Sequence, residues 1–290
     1  MKISQMHGRP NPVFSFEFFP PKTAKSADEL MRTVKSLDEM HSPDYVSVTY
    51  GAGGTTRERT LSCVTRIQRE LKITAMAHLT CVGHTAAEIH QIAKLLAEDG
   101  VENILALRGD PPKGETEFQV TEGGFRGSNE LASYLSEHFD FSLGGACYPE
   151  AHPNSKTFVD DLEWTRRKVE SGVDVLTTQL FFDNAQYFQF VERARNAGIE
   201  VPIVPGIMPI TNVSQIERFT EMCGATLPPD LSARLDRFRD DPGVVMAVGI
   251  EHAILQCREL LEKGAPGIHF YTLNKSHATR SIMAALRRLS

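Results

Sequence analysis

The stretch that decides the fold is TAAEIHQIAKLLAEDGVENILAL, residues 85–107, where a helical pattern is followed by a glycine and a short apolar run. Its apolar residues recur at the i, i+3, i+4, i+7 spacing of one helix face: Ile89, Ile92, Ala93 and Leu96. Thr85 and Glu88 have the spacing of a capping box at the helix start. Gly100 follows the helical pattern, where a residue with positive φ commonly ends a helix. The stretch therefore predicts a helix that returns the chain to a strand, the repeating unit of a parallel α/β fold.

The same unit recurs along the chain. Gly172, Gly198 and Gly264 each follow a helical pattern and precede an apolar run. Ser26 and Glu29 also have capping-box spacing, which predicts a helix start near residue 26. Eight apolar runs predict strands: Val13–Phe18, Tyr45–Tyr50, Thr74–Thr80, Asn103–Leu107, Ser142–Ala146, Val175–Gln179, Pro202–Gly206 and Gly267–Tyr271.

The spacing of these strands predicts the architecture. Successive strand ends are about 30 residues apart, the length of a strand with its returning helix, until a longer step before the last strand. Eight such units predict an α/β fold, a (β/α)8 TIM barrel, with extra helices before the eighth strand. These helices are expected around Val213–Met222, Asp230–Arg239 and Val244–Lys263. We find no boundary for a second domain, so residues 1–290 are expected to form a single catalytic barrel domain.

A doubly wound sheet is the rival architecture. Such a sheet usually has a G-x-G-x-x-G turn after its first strand. Gly51-Ala52-Gly53-Gly54 follows the second predicted strand, but it lacks the third glycine and the spacing. The barrel is therefore favoured.

Composition narrows the function classes. With 41% hydrophobic and 23% charged residues, the chain has a globular profile, which excludes a disordered or collagenous protein. A net charge of −6 argues against nucleic-acid and anionic-membrane partners, since both need a basic face. Five cysteines without a C-x-x-C pair fit a reducing compartment. Since residues 1–12 are polar and no apolar run is long enough to span a bilayer, we expect a cytoplasmic protein.

Polar or aromatic residues end nearly every predicted strand. In a barrel the carboxyl ends of the strands meet at one face, where the chemistry of such proteins is found. The pattern therefore predicts one shared site at that face. Its candidates are Glu17, Thr49, His78, Thr80, Arg108, Asp110, Tyr148, His152, Gln179, Tyr271 and Asn274.

Each candidate has a functional and a structural interpretation. Glu17, among phenylalanines, is either a general acid whose pKa is raised by apolar surroundings or a charge that points to solvent. Asp110 is either a placed carboxylate, backed by two prolines, or a helix cap or surface ion-pair partner. His78 is either a site residue or a core histidine, and spacing alone favours the core. If Gln179 is buried, its amide needs partners from protein or ligand.

The available chemistry leaves two kinds of site open. No predicted strand ends in lysine, which disfavours a Schiff-base aldolase, and neither a Gly-x-Ser-x-Gly elbow nor an H-E-x-x-H helix is present. Glu17, His78, Asp110 and His152 have the residue types that could surround a divalent metal. An aromatic-lined mouth with an acid, an amide and an Arg-Gly-Asp loop suits a flat heteroaromatic ligand equally well.

Seven motifs, in order along the chain, resemble those of the 5,10-methylenetetrahydrofolate reductase family. They are Ser15–Pro21, Val46–Ala52, His78–Cys81, Leu105–Asp110, Tyr148–Pro153, Pro205–Pro209 and His269–Asn274. The resemblance covers the chain from about residue 13 to its end and is specific, because all seven motifs keep the family's order.

The resemblance implies a flavoprotein of the bacterial type. FAD would take a hydride from NADH or NADPH and pass it, in a ping-pong sequence, to 5,10-methylenetetrahydrofolate. The product, 5-methyltetrahydrofolate, would feed methionine synthesis. We also expect a homo-oligomer. The chain ends soon after the barrel, so a C-terminal regulatory domain, and inhibition by S-adenosylmethionine through it, is not expected.

The resemblance also assigns roles to residues. The catalytic positions are Glu17, matching the general acid that opens the folate imidazolidine ring, and Asp110, matching a carboxylate beside the flavin and the pterin. The positions that match FAD contacts are Thr49, His78, Leu107, Arg108, Gly109, Asp110, Ser128, Tyr148, His152, Asp161, Arg167 and Lys168. Those that match substrate contacts are Glu17, Asp110, Gln179, Gln215, Phe219, Tyr271 and Lys275.

Three positions depart from the family's pattern: Gly127, Trp164 and Lys275 stand where a tyrosine, a polar residue and an arginine are common. These departures concern the affinity for FAD and folate more than the reaction. Two other functions stay open beside the reductase. One is a metal-dependent lyase or hydrolase, and the other is a binding or assembly protein that has kept the fold without catalysis.

Overall fold

The computed structural model describes residues 1–50, 57–111, 114, 118–275 and 277–287. Within them the chain forms nine strands, all paired in parallel, in one sheet of order β7-β6-β5-β4-β3-β2-β1-β9-β8. The strands are β1 Val13–Phe18, β2 Tyr45–Val48, β3 Ala75–Thr80, β4 Asn103–Leu107, β5 Ser142–Cys147, β6 Val175–Thr178, β7 Ile203–Val204, β8 Gly206–Ile207 and β9 Gly267–Tyr271. This is a nearly closed barrel, as the strand spacing predicts.

The barrel closes through one extended segment that pairs on both sides. We predicted a single seventh strand over Pro202–Gly206, but the structure has two short strands, β7 and β8, separated by Pro205. β7 pairs with β6, and β8 pairs with β9. Proline has no backbone N–H to donate, and Pro205 contributes only its carbonyl, which accepts from His269 N at 3.0 Å. The seventh strand position is therefore divided between its two neighbours.

Helices surround the described barrel. They are α1 Ile3–His7, α2 Ala24–His41, α3 Arg57–Arg66 with a π-helical turn Ile67–Leu71, α4 Ala86–Glu98, α5 Ser128–His138, α6 Phe158–Glu170, α7 Asn184–Asn196, α8 Val213–Cys223, α9 Pro229–Arg237, α10 Pro242–Glu262 and α11 His277–Arg287. The helices α8, α9 and α10 are the three predicted before the last long strand. None of the helices within the described ranges combines the length and apolar character needed to cross a bilayer.

Capping explains two helix starts. The predicted box of Thr85 and Glu88 is present at α4. The predicted box of Ser26 and Glu29 is wrong: α2 begins three residues earlier, with Thr23 as its cap and Ser26 as the reciprocal partner. Thr23 carries the same type of hydroxyl as Ser26, the expected cap, so the pattern identified the helix but misplaced its first turn.

The short helix α1, which the sequence analysis did not predict, closes the amino-terminal end of the barrel. Ile3 and Met6 are buried against apolar side chains that line the barrel interior. The first backbone N–H groups of the helix are bonded by Asn103 Oδ1, which accepts from Ile3 N, and by Ser142 Oγ, which accepts from Ser4 N. With this end plugged, the carboxyl-terminal end of the strands is left to form the site.

Candidate functional site at the carboxyl-terminal mouth of the barrel

The carboxylate of Glu17, at the end of β1, lies between two imidazoles. Its Oε2 is 3.2 Å from His269 Nε2 on β9 and 3.3 Å from His78 Nε2 on β3. Only 13% of the Glu17 side chain is exposed, while the side chains of His78 and His269 are 6% and 1% exposed. His78 is therefore a partner of the carboxylate rather than a core histidine apart from the site.

The acidity of Glu17 is opposite to the sequence-based expectation. Burial raises the pKa of this carboxyl, but the two imidazoles outweigh burial and lower the pKa from 4.5 to about 2. The predicted rise assumed apolar surroundings, and the flanking phenylalanines of β1 suggested them. Because side chains alternate along a strand, Phe16 and Phe18 point away from Glu17, which faces the histidines instead. Glu17 is therefore ionised at neutral pH in this structure.

His269 and Ser15 lie beside the Glu17 carboxylate, although neither was expected there from the sequence. Ser15 is paired with His269 in the register of β1 and β9, and Ser15 Oγ lies 2.7 Å from His269 Nδ1. A carboxylate can only accept, so His269 Nε2 donates to Glu17 while Nδ1 faces the hydroxyl. A signal was available: residues two apart on a strand share a face, which places Ser15 with Glu17 and His269 with Tyr271.

The turn after β9 holds the backbone around Glu17. Thr272 Oγ1 donates to Glu17 O at 2.6 Å. The amide of Asn274 both accepts from Phe19 N at 2.8 Å and donates to Phe19 O at 3.0 Å. Leu273 and Asn274 have φ of 52° and 59°, a conformation that costs energy for residues with a Cβ. The bonds from this turn fix the position of Glu17 and leave the ring of Phe19, 43% exposed, at the mouth.

Tyr271 crosses the mouth from β9 to β6. Its hydroxyl donates to Thr178 O at 2.6 Å. This crossing requires Gly206, because a Cβ there would lie 2.3 Å from Thr178 O and 2.7 Å from the Tyr271 ring. Gln179 follows Thr178, and its backbone N–H donates to Cys147 O at 2.7 Å. The two predicted substrate-contacting residues Tyr271 and Gln179 are thus joined through one residue of β6.

The helix α8 covers the same side of the mouth. Asn212 caps it by accepting from Gln215 N at 2.8 Å. Phe219, one turn further, packs on the apolar cluster that also contacts Tyr271 and Leu273. Gln215 and Phe219 are both half-buried, so each leaves part of its side chain accessible.

A second group of predicted residues lies at the ends of β4 and β5 and on α6. Tyr148 and His152 meet edge to face at 4.6 Å between ring centroids. Burial lowers the pKa of His152, and the nearby charge of Arg108 lowers it further. Its Nδ1 accepts from Asn154 N at 3.0 Å, so the proton of the neutral ring is on Nε2. His152 therefore offers a donor in this group.

Asp161 and Lys168, on the inner face of α6, complete this second group. Asp161 Oδ1 accepts from Ser155 Oγ at 3.0 Å, whereas its Oδ2 is buried and has no partner among the described residues. Lys168 Nζ donates to Ala146 O at 2.5 Å, and burial lowers the pKa of this amine. A buried acceptor without a partner is costly, so Asp161 has a bond available for a ligand.

The loop after β4 contributes Arg108, Gly109 and Asp110. Gly109 has φ of +88°, and a Cβ on it would lie 2.5 Å from Val82 Cγ1, so the turn requires glycine. Arg108 lies over the ring of Phe118, with its guanidinium carbon 5.3 Å from the centroid. Asp110 is exposed, but its charge contributes to raising the pKa of Tyr148, after the larger effect of burial. The loop thus brings both charges next to the second group.

Arg167 is engaged on the outside of α6. Its Nε donates to Glu163 Oε1 at 2.9 Å, and its guanidinium lies 4.9 Å from the ring centre of Trp164, which is 50% exposed. Lys168 and Arg167, predicted as one pair, therefore have different environments: the amine is turned inward and the guanidinium is half exposed.

The remaining predicted residues are Thr49, Leu107, Ser128 and Lys275. Thr49 N donates to Phe18 O, Ser128 begins α5, and the Lys275 side chain is exposed. For Leu107, half-buried at the end of β4, no side-chain bond is expected. Gly51–Gly54 and Pro112 lie outside the described residues.

The described residues do not include a group of three or more His, Cys, Asp or Glu side chains that could hold a metal ion. The four candidate metal ligands are thus not gathered into one cluster.

The fold and the site define a (β/α)8 barrel with two polar groups at its carboxyl-terminal mouth, one built on a carboxylate and the other on basic residues and a tyrosine. The chain belongs to the methylenetetrahydrofolate reductase family, a family of oxidoreductases, whose model matches residues 2–287. It is 35% identical to the 5,10-methylenetetrahydrofolate reductase of Escherichia coli over 98% of this chain and 93% of that protein. It is 36% identical to methylenetetrahydrofolate reductase (NADH) 1 of Zea mays over 98% of this chain, which spans 50% of the plant protein.

Solved structures of low identity share the fold alone. An uncharacterized protein from Clostridium thermocellum that binds two copies of 5-methyl-5,6,7,8-tetrahydrofolic acid matches all of both chains with a TM-score of 0.64 at 15% identity. Dihydropteroate synthase from Xanthomonas albilineans, in complex with 7,8-dihydropteroate, covers 97% of this chain and 93% of its own, with a TM-score of 0.53 at 13% identity.

Proposed function

We propose that the chain reduces 5,10-methylenetetrahydrofolate to 5-methyltetrahydrofolate, with FAD as the carrier and NADH or NADPH as the donor, in a ping-pong sequence that feeds methionine synthesis. The observation that carries the proposal is the Glu17 carboxylate, held by His78 and His269 at the mouth of a barrel of this family. A reaction that opens a ring by protonating one of its nitrogens needs a proton path at that place, and these three groups supply one.

The second group supports a flavin dinucleotide. Asp161 Oδ2 is a buried acceptor without a partner among the described residues, which suits a ribose hydroxyl. Arg108 and Lys168 supply the positive charge that a pyrophosphate needs, and His152 Nε2 supplies a donor. When bound, FAD supplies hydride storage between the oxidation of nicotinamide and the reduction of folate. Asp110, exposed next to this group, contacts both flavin and pterin in our proposal.

Because its pKa is low, Glu17 needs a source of protons if it is to act as a general acid. A carboxyl with a pKa of about 2 holds no proton at neutral pH, so the proton next to it is the one on His269 Nε2. Substrate that covers the mouth excludes water and strengthens the effect of burial, which raises the pKa of Glu17. A His269 imidazolium, formed with a proton from solvent, would give its Nε2 proton to Glu17, and Glu17 would pass it to the substrate nitrogen, which leaves a neutral imidazole and a carboxylate.

The test is spectroscopic. The purified protein should show the visible absorbance of an oxidised flavin, lose it anaerobically under NADH or NADPH, and regain it on addition of 5,10-methylenetetrahydrofolate. Comparing the two nicotinamides identifies the donor. A colourless protein with stoichiometric metal would favour the lyase or hydrolase instead. A protein with neither group and no turnover would favour a binding role.

A further inference from the structure

The helix α10, which carries none of the predicted site residues, is bonded to the loop that follows Gln179. Gln256 on this helix is 5% exposed, and its Nε2 donates to Phe181 O at 2.9 Å. His252, one turn earlier, has its Nε2 3.0 Å from Phe182 O. A carbonyl only accepts, so the imidazole donates, and two consecutive carbonyls of the loop are held by two side chains of one helix face.

Two further bonds run in the opposite direction. Asn184, the first residue of α7, donates from Nδ2 to Gln256 O at 3.1 Å and to Glu259 Oε2 at 2.7 Å. The loop between Gln179 and Asn184 is therefore tied to α10 at three positions. On the other side of Gln179, the chain is held by Tyr271, whose hydroxyl bonds Thr178 O, and by the Gln179 N–H bond to Cys147.

The same helix also lies against the loop that leads into α8. A Cβ on Gly249 would be 1.9 Å from Ile210 O, so the helix and this loop are in backbone contact. Gly249, His252 and Gln256 share one face of α10, since they are three and seven residues apart. One helix, α10, therefore contacts two loops on the substrate side of the site. One loop follows Gln179, and the other leads into α8, which carries Gln215 and Phe219.

We propose that α10 is the positioning element of the substrate side of the site, with Gln256 and His252 as positioning residues that act through Gln179. The proposal rests on the proposed function, in which Gln179 contacts the flat heteroaromatic substrate. Buried carbonyls keep their partners, so the two bonds select one placement of the loop. The Gln179 amide takes its direction from that loop, because its Oε1 accepts from Leu180 N at 2.8 Å. Within the part of the chain that the structure describes, the side-chain bonds of Asp161, Lys168 and His152 involve no residue of α10, so the nicotinamide half-reaction should be independent of it.

Three single variants test the proposal: Gln256→Leu, His252→Leu and His252→Gln. The two leucine variants remove the donor to the loop, whereas His252→Gln retains a side-chain N–H donor. Leu255→Gln, on an adjacent position that is 55% exposed, is the control. We expect Gln256→Leu and His252→Leu to raise the KM for 5,10-methylenetetrahydrofolate roughly three- to tenfold, as the loss of a buried hydrogen bond allows. The rate of flavin reduction by nicotinamide should stay within about twofold of that of the parent protein. His252→Gln should have a KM close to the parent value.

Hydrogen–deuterium exchange of residues 179–184 gives a readout that does not require turnover. Faster exchange there in the two leucine variants, with the rest of the barrel unchanged, is expected. Unchanged exchange, or an equal loss in both half-reactions, would overturn the positioning role. If the unaltered protein neither binds flavin nor reduces folate, the proposed function fails, and the exchange data still decide whether α10 holds the loop.

Discussion

His269 Nε2 lies 3.2 Å from Glu17 Oε2, and the Nδ1 of the same ring lies 2.7 Å from Ser15 Oγ. The imidazole therefore links a hydroxyl and a carboxylate that stand two residues apart on the neighbouring strand. His78 is the second imidazole beside the carboxylate, and both rings stabilise its negative charge. The low pKa of Glu17 therefore follows from these contacts and not from the neighbouring phenylalanines of β1.

Replacing Glu17 with Gln should nearly abolish folate reduction while flavin reduction by nicotinamide stays largely intact. A proton is needed only in the folate half-reaction, and a general acid contributes about 10²–10⁴-fold. Stopped-flow measurement of the two half-reactions checks this, with Glu39→Gln on the exposed face of α2 as the control. Comparable losses in both half-reactions would mean that Glu17 holds the site together instead.

Replacing His269 with Leu should raise the pKa of Glu17, because burial raises this pKa and only His78 would then remain to lower it. The pKa of Glu17 is depressed in the folded protein, so its contribution to stability is present above pH 4.5 and is lost as pH falls towards about 2. The variant should lose less unfolding free energy across that window than the parent. Carboxyl titration by NMR together with denaturant unfolding measures both effects, and a Glu17 pKa that stays low would assign the acidity to His78 alone.

Replacing Asp110 with Asn should leave FAD bound, weaken folate binding and raise the flavin reduction potential. A carboxylate beside the flavin disfavours the negative charge of the reduced form, so neutralising it makes reduction easier. Potentiometric titration of the variant and the parent checks the sign. A lowered potential would contradict the position of Asp110 next to the flavin.

The double variant Arg167→Ala with Lys168→Ala should bind FAD more weakly, and added FAD should rescue it. Lys168 faces inward and Arg167 is half exposed on Glu163 and Trp164, so we expect most of the loss from the lysine. Because bound FAD stabilises the folded state, the double variant should also lose most of the gain in Tm that FAD gives the parent. Arg166→Ala, whose side chain bonds Glu163 and Glu170, is the control, and an unchanged FAD Kd in the double variant would place the pyrophosphate elsewhere.

Replacing His7 with Gln should make the protein less sensitive to mild acid. Burial lowers the pKa of His7 from 6.5 to about 4, so the folded state resists a proton that the unfolded chain accepts. Stability is therefore lost as pH falls from 6.5 to about 4, and the variant removes that part of the loss. Denaturant unfolding across this range measures it, with His277→Gln, at the exposed start of α11, as the control. An equal pH dependence in parent and variant would show that His7 is not a source of acid sensitivity.

Several elements could be predicted from the sequence because their causes are local. β1, β4 and β9 have the predicted bounds, and α4 has its predicted cap, since a period of two or 3.6 residues and a cap three residues from its partner are read within a short window. The number of strand units predicts the barrel, and the barrel predicts which strand ends meet. For that reason the sequence predicts Glu17, His78, Gln179 and Tyr271 at the carboxyl-terminal ends of their strands, although spacing alone favours a core position for His78.

The features that only the tertiary structure decided depend on distances between residues far apart in the chain. Ser15 and His269 are 254 positions apart, and only the pairing of β1 with β9 brings them together. The acidity of Glu17 is a balance between burial and two imidazoles, and no periodicity encodes that balance. Likewise, the division of the seventh strand at Pro205 and the bonds of α10 to the loop after Gln179 arise when the barrel closes, because each needs a partner that sequence spacing does not specify.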